Sequence, residues 1–94
     1  MTIDELLKSI DEDAGPPEGS SEEVRALWYT KKGDWDAAHD VAQDMPSAWG
    51  SWMHAHLHMI EGDLGNAGYW YRRAGKTRID DLEAEWLEIA GAVL

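Results

Sequence analysis

Hydrophobic residues recur every three to four positions along most of this chain, which is the spacing of one face of an α-helix. No segment alternates between apolar and polar residues with the period of two that marks a strand. The spacing therefore predicts an all-α protein. The predicted helices cover residues 3–12, 21–32, 35–44, 48–61, 64–74 and 78–93.

Glycine, proline and capping residues mark the ends of these helices. Segment 13–19 holds two prolines and two glycines, which cannot continue a helix, so we interpret it as a linker. Ser20 with Glu23, and Thr77 with Asp80, have the three-residue spacing of a helix-capping pair. A chain of 94 residues is the size of one domain. We divide the predicted domain, residues 1–94, into an N-terminal helix and linker (1–19), two hairpins (20–46 and 47–75) and a C-terminal helix (76–94).

The stretch around Gly33 is repeated 29 residues later around Gly62. The aligned pairs are Gly33 with Gly62, Asp34 with Asp63, Ala26 with Ala55, and Ala38 with Ala67. Two helical hairpins with the same turn residues indicate an internal duplication. Small residues at matched positions allow the helix backbones to approach closely.

On these motifs, residues 21–75 resemble the tetratricopeptide repeat family. The family's unit is a helix, a Gly-Asp-aromatic turn and a second helix that begins near a small alanine, and Gly33-Asp34-Trp35 resembles that turn. Tyr29 matches a tyrosine of the family's first helix, whereas His58 replaces it in the second hairpin. The resemblance implies antiparallel hairpins stacked as a short right-handed array, with N- and C-terminal capping helices. It also implies a non-catalytic module that binds a protein or peptide, which is our leading hypothesis.

The last predicted helix carries a stripe of apolar residues that needs a partner surface. The stripe consists of Ile79, Leu82, Trp86, Ile89, Ala90 and Val93. Stacked repeats usually need about three units for stability, and only two hairpins are present here. Helix 78–93 can supply the missing cover by lying over helix 64–74, or it can pair with its copy in a homodimer.

Charge and composition exclude several classes of partner and chemistry. The net charge of −11 repels nucleic-acid backbones and anionic membrane surfaces. The absence of cysteine excludes disulfides, thiolate catalysis and sulfur-ligated metals. No apolar run approaches the roughly 20 residues that span a bilayer, and the acidic start after Met1 is unlike a signal peptide. We therefore expect a cytoplasmic location.

Histidines on the third repeat helix are the candidate metal ligands. His54, His58 and Glu61 follow one another at helical spacing on one face, and two imidazoles one turn apart can hold one divalent metal. The competing interpretation is a pair of packed, hydrogen-bonded histidines without a metal. His56 points to the opposite face. The pair His39-Asp40 is too common a dipeptide to support a prediction, and no other cofactor is expected.

Aromatic and basic residues supply the remaining candidates. The predicted contacts for a partner protein are Trp28, Tyr29, Tyr69, Arg72 and Arg73. The basic cluster that could bind an anion is Arg72, Arg73, Lys76 and Arg78, although cations at a helix C-terminus also complement the helix dipole. The loop Ala74–Thr77 lacks the first glycine and the preceding strand of a phosphate-binding loop. No catalytic spacing is present, so an enzyme that acts on a small molecule in an intersubunit pocket is the least supported of our hypotheses.

Overall fold

Six α-helices joined by short connections form the fold, in a computed structural model that describes residues 1–94. The helices are α1 (Ile3–Glu12), α2 (Glu22–Lys32), α3 (Trp35–Asp44), α4 (Ala48–Ile60), α5 (Leu64–Ala74) and α6 (Leu82–Val93). There is no strand, so the predicted all-α class is confirmed. None of the helices is both long enough and apolar enough to cross a bilayer.

Hydrogen bonds at the helix starts explain where the first two helices begin. Thr2 and Glu5 form a reciprocal capping box at the start of α1. Ser21, rather than the predicted Ser20, caps α2 by accepting a hydrogen bond from the backbone N–H of Val24. The Ser20 hydroxyl instead donates to the carbonyl of Pro17 and closes the turn before the helix.

The start of the last helix was predicted wrongly. The Thr77–Asp80 spacing indicated a helix from residue 78, but α6 begins at Leu82. Asp81 is the capping residue, because its carboxylate accepts a hydrogen bond from the N–H of Ala84 at 3.1 Å. Asp80 instead binds the Arg78 guanidinium at 3.0 Å. The connection between α5 and α6 therefore runs from residue 75 to residue 81.

The two Gly-Asp corners have the same geometry. Gly33 and Gly62 both adopt left-handed backbone angles, with φ of 91° and 81°. Residues other than glycine rarely adopt such angles. The following aspartate donates its backbone N–H to the carbonyl five residues earlier, Tyr29 in one corner and His58 in the other. Each aspartate then caps the next helix. The repeated sequence thus forms repeated local structure.

The helices pack chiefly as two pairs of neighbours in the chain. α2 lies against α3 and α4 lies against α5, while α4 also contacts both α2 and α3. The four aligned alanines are fully buried where these helices meet. They are Ala26, Ala38, Ala55 and Ala67. Small side chains at these points bring the helix axes close together, and larger residues fill the remaining core.

The connection between the two pairs requires a glycine inside a helix. Gly50 lies in the first turn of α4 and is packed against the end of α3. A Cβ atom at this position would lie 2.5 Å from the carbonyl oxygen of Met45 and 2.7 Å from its Cβ. The backbones therefore touch here, and no side chain fits between them.

α6 packs its backbone against α2 and α4. One of our two expectations placed it over α5, which it reaches only through a side chain, Glu85. The buried face of α6 holds Trp86, Ile89 and Ala90. The indole N–H of Trp86 donates to the carbonyl of Leu27 on α2 at 3.0 Å. α1 contacts both α2 and α6 and completes the cover. A homodimer through residues 78–93 stays a prediction, but these three residues of its apolar stripe are buried within the chain.

Candidate functional site

Three histidine side chains converge on one face of the fold. His39 comes from α3, and His54 and His58 come from successive turns of α4. Each ring contributes one nitrogen, and these three nitrogens lie within 4.8 Å of one another. The Nε2 atoms of His39 and His54 are 2.8 Å apart, so one of them donates a hydrogen bond to the other. We call this group the histidine cluster.

Aromatic side chains hold the histidine cluster in place. Trp70 of α5 stacks on His54 with ring centroids 4.0 Å apart, and Trp35 stacks on His39 at 4.8 Å. Trp35 is itself fixed by a hydrogen bond from its indole N–H to the carbonyl of Leu57 at 2.8 Å. Stacking and burial restrict the rotation of the rings, so their nitrogens keep a defined arrangement.

Glu61 orients one histidine and does not join the cluster. Its carboxylate lies 2.6 Å from Nδ1 of His58, which leaves Nε2 as the nitrogen that a metal could bind. The sequence predicted Glu61 as a third direct ligand beside His54 and His58. In the structure the third converging residue is His39, and Glu61 is hydrogen-bonded to His58. Glu61, His58 and Asp63 also form a second acidic group, but Asp63 caps α5.

The environment of His54 favours its neutral form. Burial, followed by the positive charge that His39 and His58 carry when protonated, lowers the pKa of His54 from 6.5 to about 4. A neutral imidazole has a free lone pair at neutral pH and is the form that ligates metals. Protons therefore do not compete with a metal for His54 at pH 7.

We expect this shift to make the metal-free protein less stable as the pH falls from about 6.5 to about 4. In this range the unfolded chain takes up a proton on His54 that the folded chain excludes, so the free energy of unfolding decreases with falling pH. The slope from this group is at most about 1.4 kcal/mol per pH unit. Urea unfolding with a chelator present, repeated across this range, measures it. In the His54→Gln variant the free energy of unfolding should fall less steeply with pH, because the carboxylates of the protein still titrate but residue 54 does not. Identical slopes for the unaltered protein and the His54→Gln variant would show that His54 does not cause the pH dependence.

The histidine cluster forms the floor of an open cleft with a volume of about 580 Å³. The other lining residues are Gln43 and Asp44 from the end of α3, and Asn66 and Trp70 from α5. Six of the seven lining residues have polar side chains. A cleft of this size can take a small molecule, since ligand sites commonly measure about 300–1,000 Å³.

A second polar cluster lies in the core, on the opposite face of α4. Glu85 of α6 is completely buried, and its carboxylate accepts three hydrogen bonds. The donors are Trp52 Nε1 at 3.2 Å, His56 Nδ1 at 2.7 Å and the Tyr71 hydroxyl at 2.6 Å. Burial and then the bond to Glu85 raise the pKa of Tyr71, which keeps its hydroxyl protonated as a donor. This carboxylate links α4, α5 and α6.

The predicted partner contacts differ in their accessibility. Trp28 is only 2% exposed, and its indole N–H donates to the Ser9 hydroxyl, so it belongs to the core and cannot contact a partner. Tyr29 is partly buried. Tyr69 is 45% exposed, and its hydroxyl accepts a hydrogen bond from Arg73 at 3.0 Å.

The predicted anion-binding cations have separate partners within the chain. The Arg73 guanidinium lies over the rings of Tyr69 and Trp70, and the Lys76 ammonium lies 4.3 Å from the ring centre of Trp52. Arg78 is paired with Asp80, and Arg72 is exposed. Three of the four charges thus already interact with other side chains, which favours the structural interpretation of this cluster over an anion site.

Sequence reasoning missed His39 and Glu85. The signal for His39 was its position on predicted helix 35–44, next in the chain to the histidine-bearing helix 48–61. The signal for Glu85 was its place on the apolar stripe, three residues after Leu82 and four before Ile89. A charged residue on the buried face of a helix requires polar partners from the helices that it packs against.

Fold and site together define a six-helix, all-α protein with a cluster of three histidines, two of them buried, beneath an open cleft. No protein-family model, no curated protein and no solved structure matches the chain. The geometry of the site itself therefore has to indicate the function.

Proposed function

We propose that this chain binds one divalent transition-metal ion through His39, His54 and His58. The observation that carries the proposal is the convergence of three imidazole nitrogens, from two helices, within 4.8 Å. Imidazole is a preferred ligand of zinc, copper, nickel and cobalt, whereas magnesium and calcium prefer oxygen. The proposed ion is therefore one of these four metals, which we call zinc-class ions.

The three nitrogens lie within 4.8 Å of one another, so the rings must move to hold such an ion. Two nitrogens bound tetrahedrally at about 2.05 Å from zinc lie about 3.3 Å apart, compared with 2.8 Å between the Nε2 atoms of His39 and His54. His39 is only partly buried, so its ring can move by this amount. The hydrogen bond between the Glu61 carboxylate and His58 supports the proposal further, because carboxylates commonly orient metal-binding histidines in this way.

The scaffold that we propose for this site is a two-hairpin, tetratricopeptide-like array. The equivalent corners at Gly33 and Gly62, and the contacts of α4 with both α2 and α3, support it. In this arrangement the histidine cluster lies between the second helix of the first hairpin and the first helix of the next. His58 then occupies the position at which the first hairpin has Tyr29.

Calorimetry with zinc on tag-free protein tests the metal site. We expect one zinc per chain, a higher melting temperature with zinc, and loss of binding in His54→Ala. Glu61→Gln should weaken zinc binding about 10- to 100-fold, because it removes the charged partner of His58. Glu88→Gln removes a comparable charge from an exposed position on α6 and should leave the affinity unchanged. Absence of both binding heat and a thermal shift would refute the proposal.

A second candidate function is the binding of a protein partner on the outer face of α5. Tyr69 and Arg73 favour it, because an exposed tyrosine held against an arginine is typical of a binding hot spot. Arg72 adds a further exposed cation, so the partner surface would carry carboxylates.

Alanine at both Tyr69 and Arg73 tests this surface. A partner protein that copurifies with the unaltered chain should be lost from the double variant, while the circular dichroism spectrum stays the same. The matched control is alanine at Glu83 and Glu88, two exposed residues of α6. Equal recovery of the partner by both double variants would count against the α5 surface.

A further inference from the structure

The histidine cluster supplies too few ligands to fill the coordination sphere of the metal proposed above. The carboxylates nearest in sequence are already engaged: Glu61 holds His58, and Asp63 caps α5. Asp44 lines the same cleft but is not among the groups whose ligand atoms converge with the three histidines. Zinc-class ions take at least four ligands, so one position or more must be filled from outside the protein.

The cleft determines where that outside ligand can lie. Trp35 and Trp70 stack on the faces of His39 and His54, and Trp70 also lines the cleft. The open side is bordered by Gln43, Asp44 and Asn66. Structural zinc sites are closed by four protein ligands, whereas sites with three protein ligands and an open position exchange ligands with solvent.

We infer that the metal keeps an exchangeable position facing this cleft, and that this position takes a small monoanionic oxygen donor of the carboxylate or hydroxamate class. The inference rests on the proposed metal binding. Three neutral imidazoles leave both positive charges of the ion uncompensated, which favours an anion as the added ligand.

Charge and hydrogen bonding at the cleft rim define the ligand further. The side-chain amide of Gln43 is exposed and can donate a hydrogen bond to an anionic oxygen. The carboxylate of Asp44 lies on the same rim, in a chain with a net charge of −11, and repels ligands in proportion to their negative charge. A monoanion is therefore favoured over phosphate. The indole of Trp70 offers an apolar surface to the body of the ligand.

Cobalt(II)-loaded protein provides the test, because its visible absorption bands change when a coordination position exchanges its ligand. Acetohydroxamate should shift the bands in a saturable way, with one ligand per cobalt, and phosphate should bind at least tenfold more weakly. Gln43→Leu should weaken hydroxamate binding about tenfold, the loss expected for one hydrogen bond to a charged group. Asp44→Asn should strengthen it several-fold by removing a like charge. Glu88→Gln, a charge removed far from the cleft, should have no effect.

The outcomes separate this inference from the metal proposal beneath it. A cobalt spectrum that forms normally but does not respond to acetohydroxamate would overturn the inference and leave metal binding standing. Phosphate binding as tight as hydroxamate binding, or an Asp44→Asn variant that binds no tighter, would overturn the assignment to monoanions. Absence of any cobalt spectrum, together with no zinc heat in calorimetry, would refute both proposals.

Discussion

Replacing Glu85 by alanine is expected to lower the free energy of unfolding by about 3–5 kcal/mol, the range found when one member of a buried polar or charged pair is removed. The substitution leaves three donors without an acceptor in a site that water does not reach. These donors are Trp52 Nε1, His56 Nδ1 and the Tyr71 hydroxyl. Each unsatisfied buried donor costs about 1–3 kcal/mol. A small domain is stable by only about 5–15 kcal/mol, so this loss is a large part of the total.

A short series of variants shows whether lost hydrogen bonds are the cause. Glu85→Gln keeps one acceptor oxygen but turns an amide toward the donors, and it should fall between the unaltered protein and Glu85→Ala. Glu88→Ala, at an exposed position on the same helix, should change stability by less than about 0.5 kcal/mol. Urea unfolding measures all three. Surface substitutions usually change the free energy of unfolding by less than about 0.5 kcal/mol. If Glu85→Ala changes it by no more than this, the carboxylate is not the link between α4, α5 and α6.

Gly50→Ala is expected to destabilise the fold by about 1–3 kcal/mol, although alanine is the better helix former. The added methyl group would meet the carbonyl oxygen of Met45 at 2.5 Å. That oxygen belongs to the backbone and cannot rotate away, so the end of α3 must move from the start of α4. Movement at this point also shifts His39 relative to His54, because the two histidines lie on the two helices concerned. Zinc affinity should therefore fall together with stability.

Gly91→Ala is the matched control and should have the opposite sign. Gly91 also lies inside a helix, but nothing lies within 4 Å of the position that a Cβ would take. The alanine should stabilise α6 by about 0.5–1 kcal/mol through helix propensity alone. Thermal unfolding of the two variants side by side measures both effects. Stabilisation by both alanines would show that α3 and α4 are not in backbone contact at Gly50.

The local parts of the fold could be predicted because they depend on neighbouring residues. α1, α3 and α5 begin and end where periodicity and the Gly-Asp corners placed them. The start of α6 could not be predicted reliably, because two capping signals lie close together in the sequence. One is the pair Thr77 and Asp80, and the other is Asp81, which can cap a helix that begins one residue later. The position of α6 over α2 and α4 depends on contacts such as Trp86 with Leu27, 59 residues apart in sequence. Helical spacing identifies an apolar face but not the surface that will cover it.

The part of the candidate site that lies on one helix could be predicted from the sequence, and the part contributed by another helix could not. His54 and His58 share a helix face, and helical geometry alone brings them together. His39 joins them only through the packing of α3 against α4, and no spacing rule connects it to residues on another helix. Glu61 was identified as part of the group, but spacing could not distinguish direct ligation from a hydrogen bond to His58. That distinction depends on which imidazole nitrogen faces the carboxylate.

The position of α6 has a consequence for recognition. Within one chain, α6 lies along the faces of α2 and α4 and is tethered to α5 by residues 75–81. A short tether of this kind gives an effective local concentration in the millimolar range. A helix from another protein would have to displace α6 to reach the same faces of α2 and α4. The opposite side of the fold, where α3 carries His39 and α5 carries Trp70 and Tyr69, has no such built-in occupant.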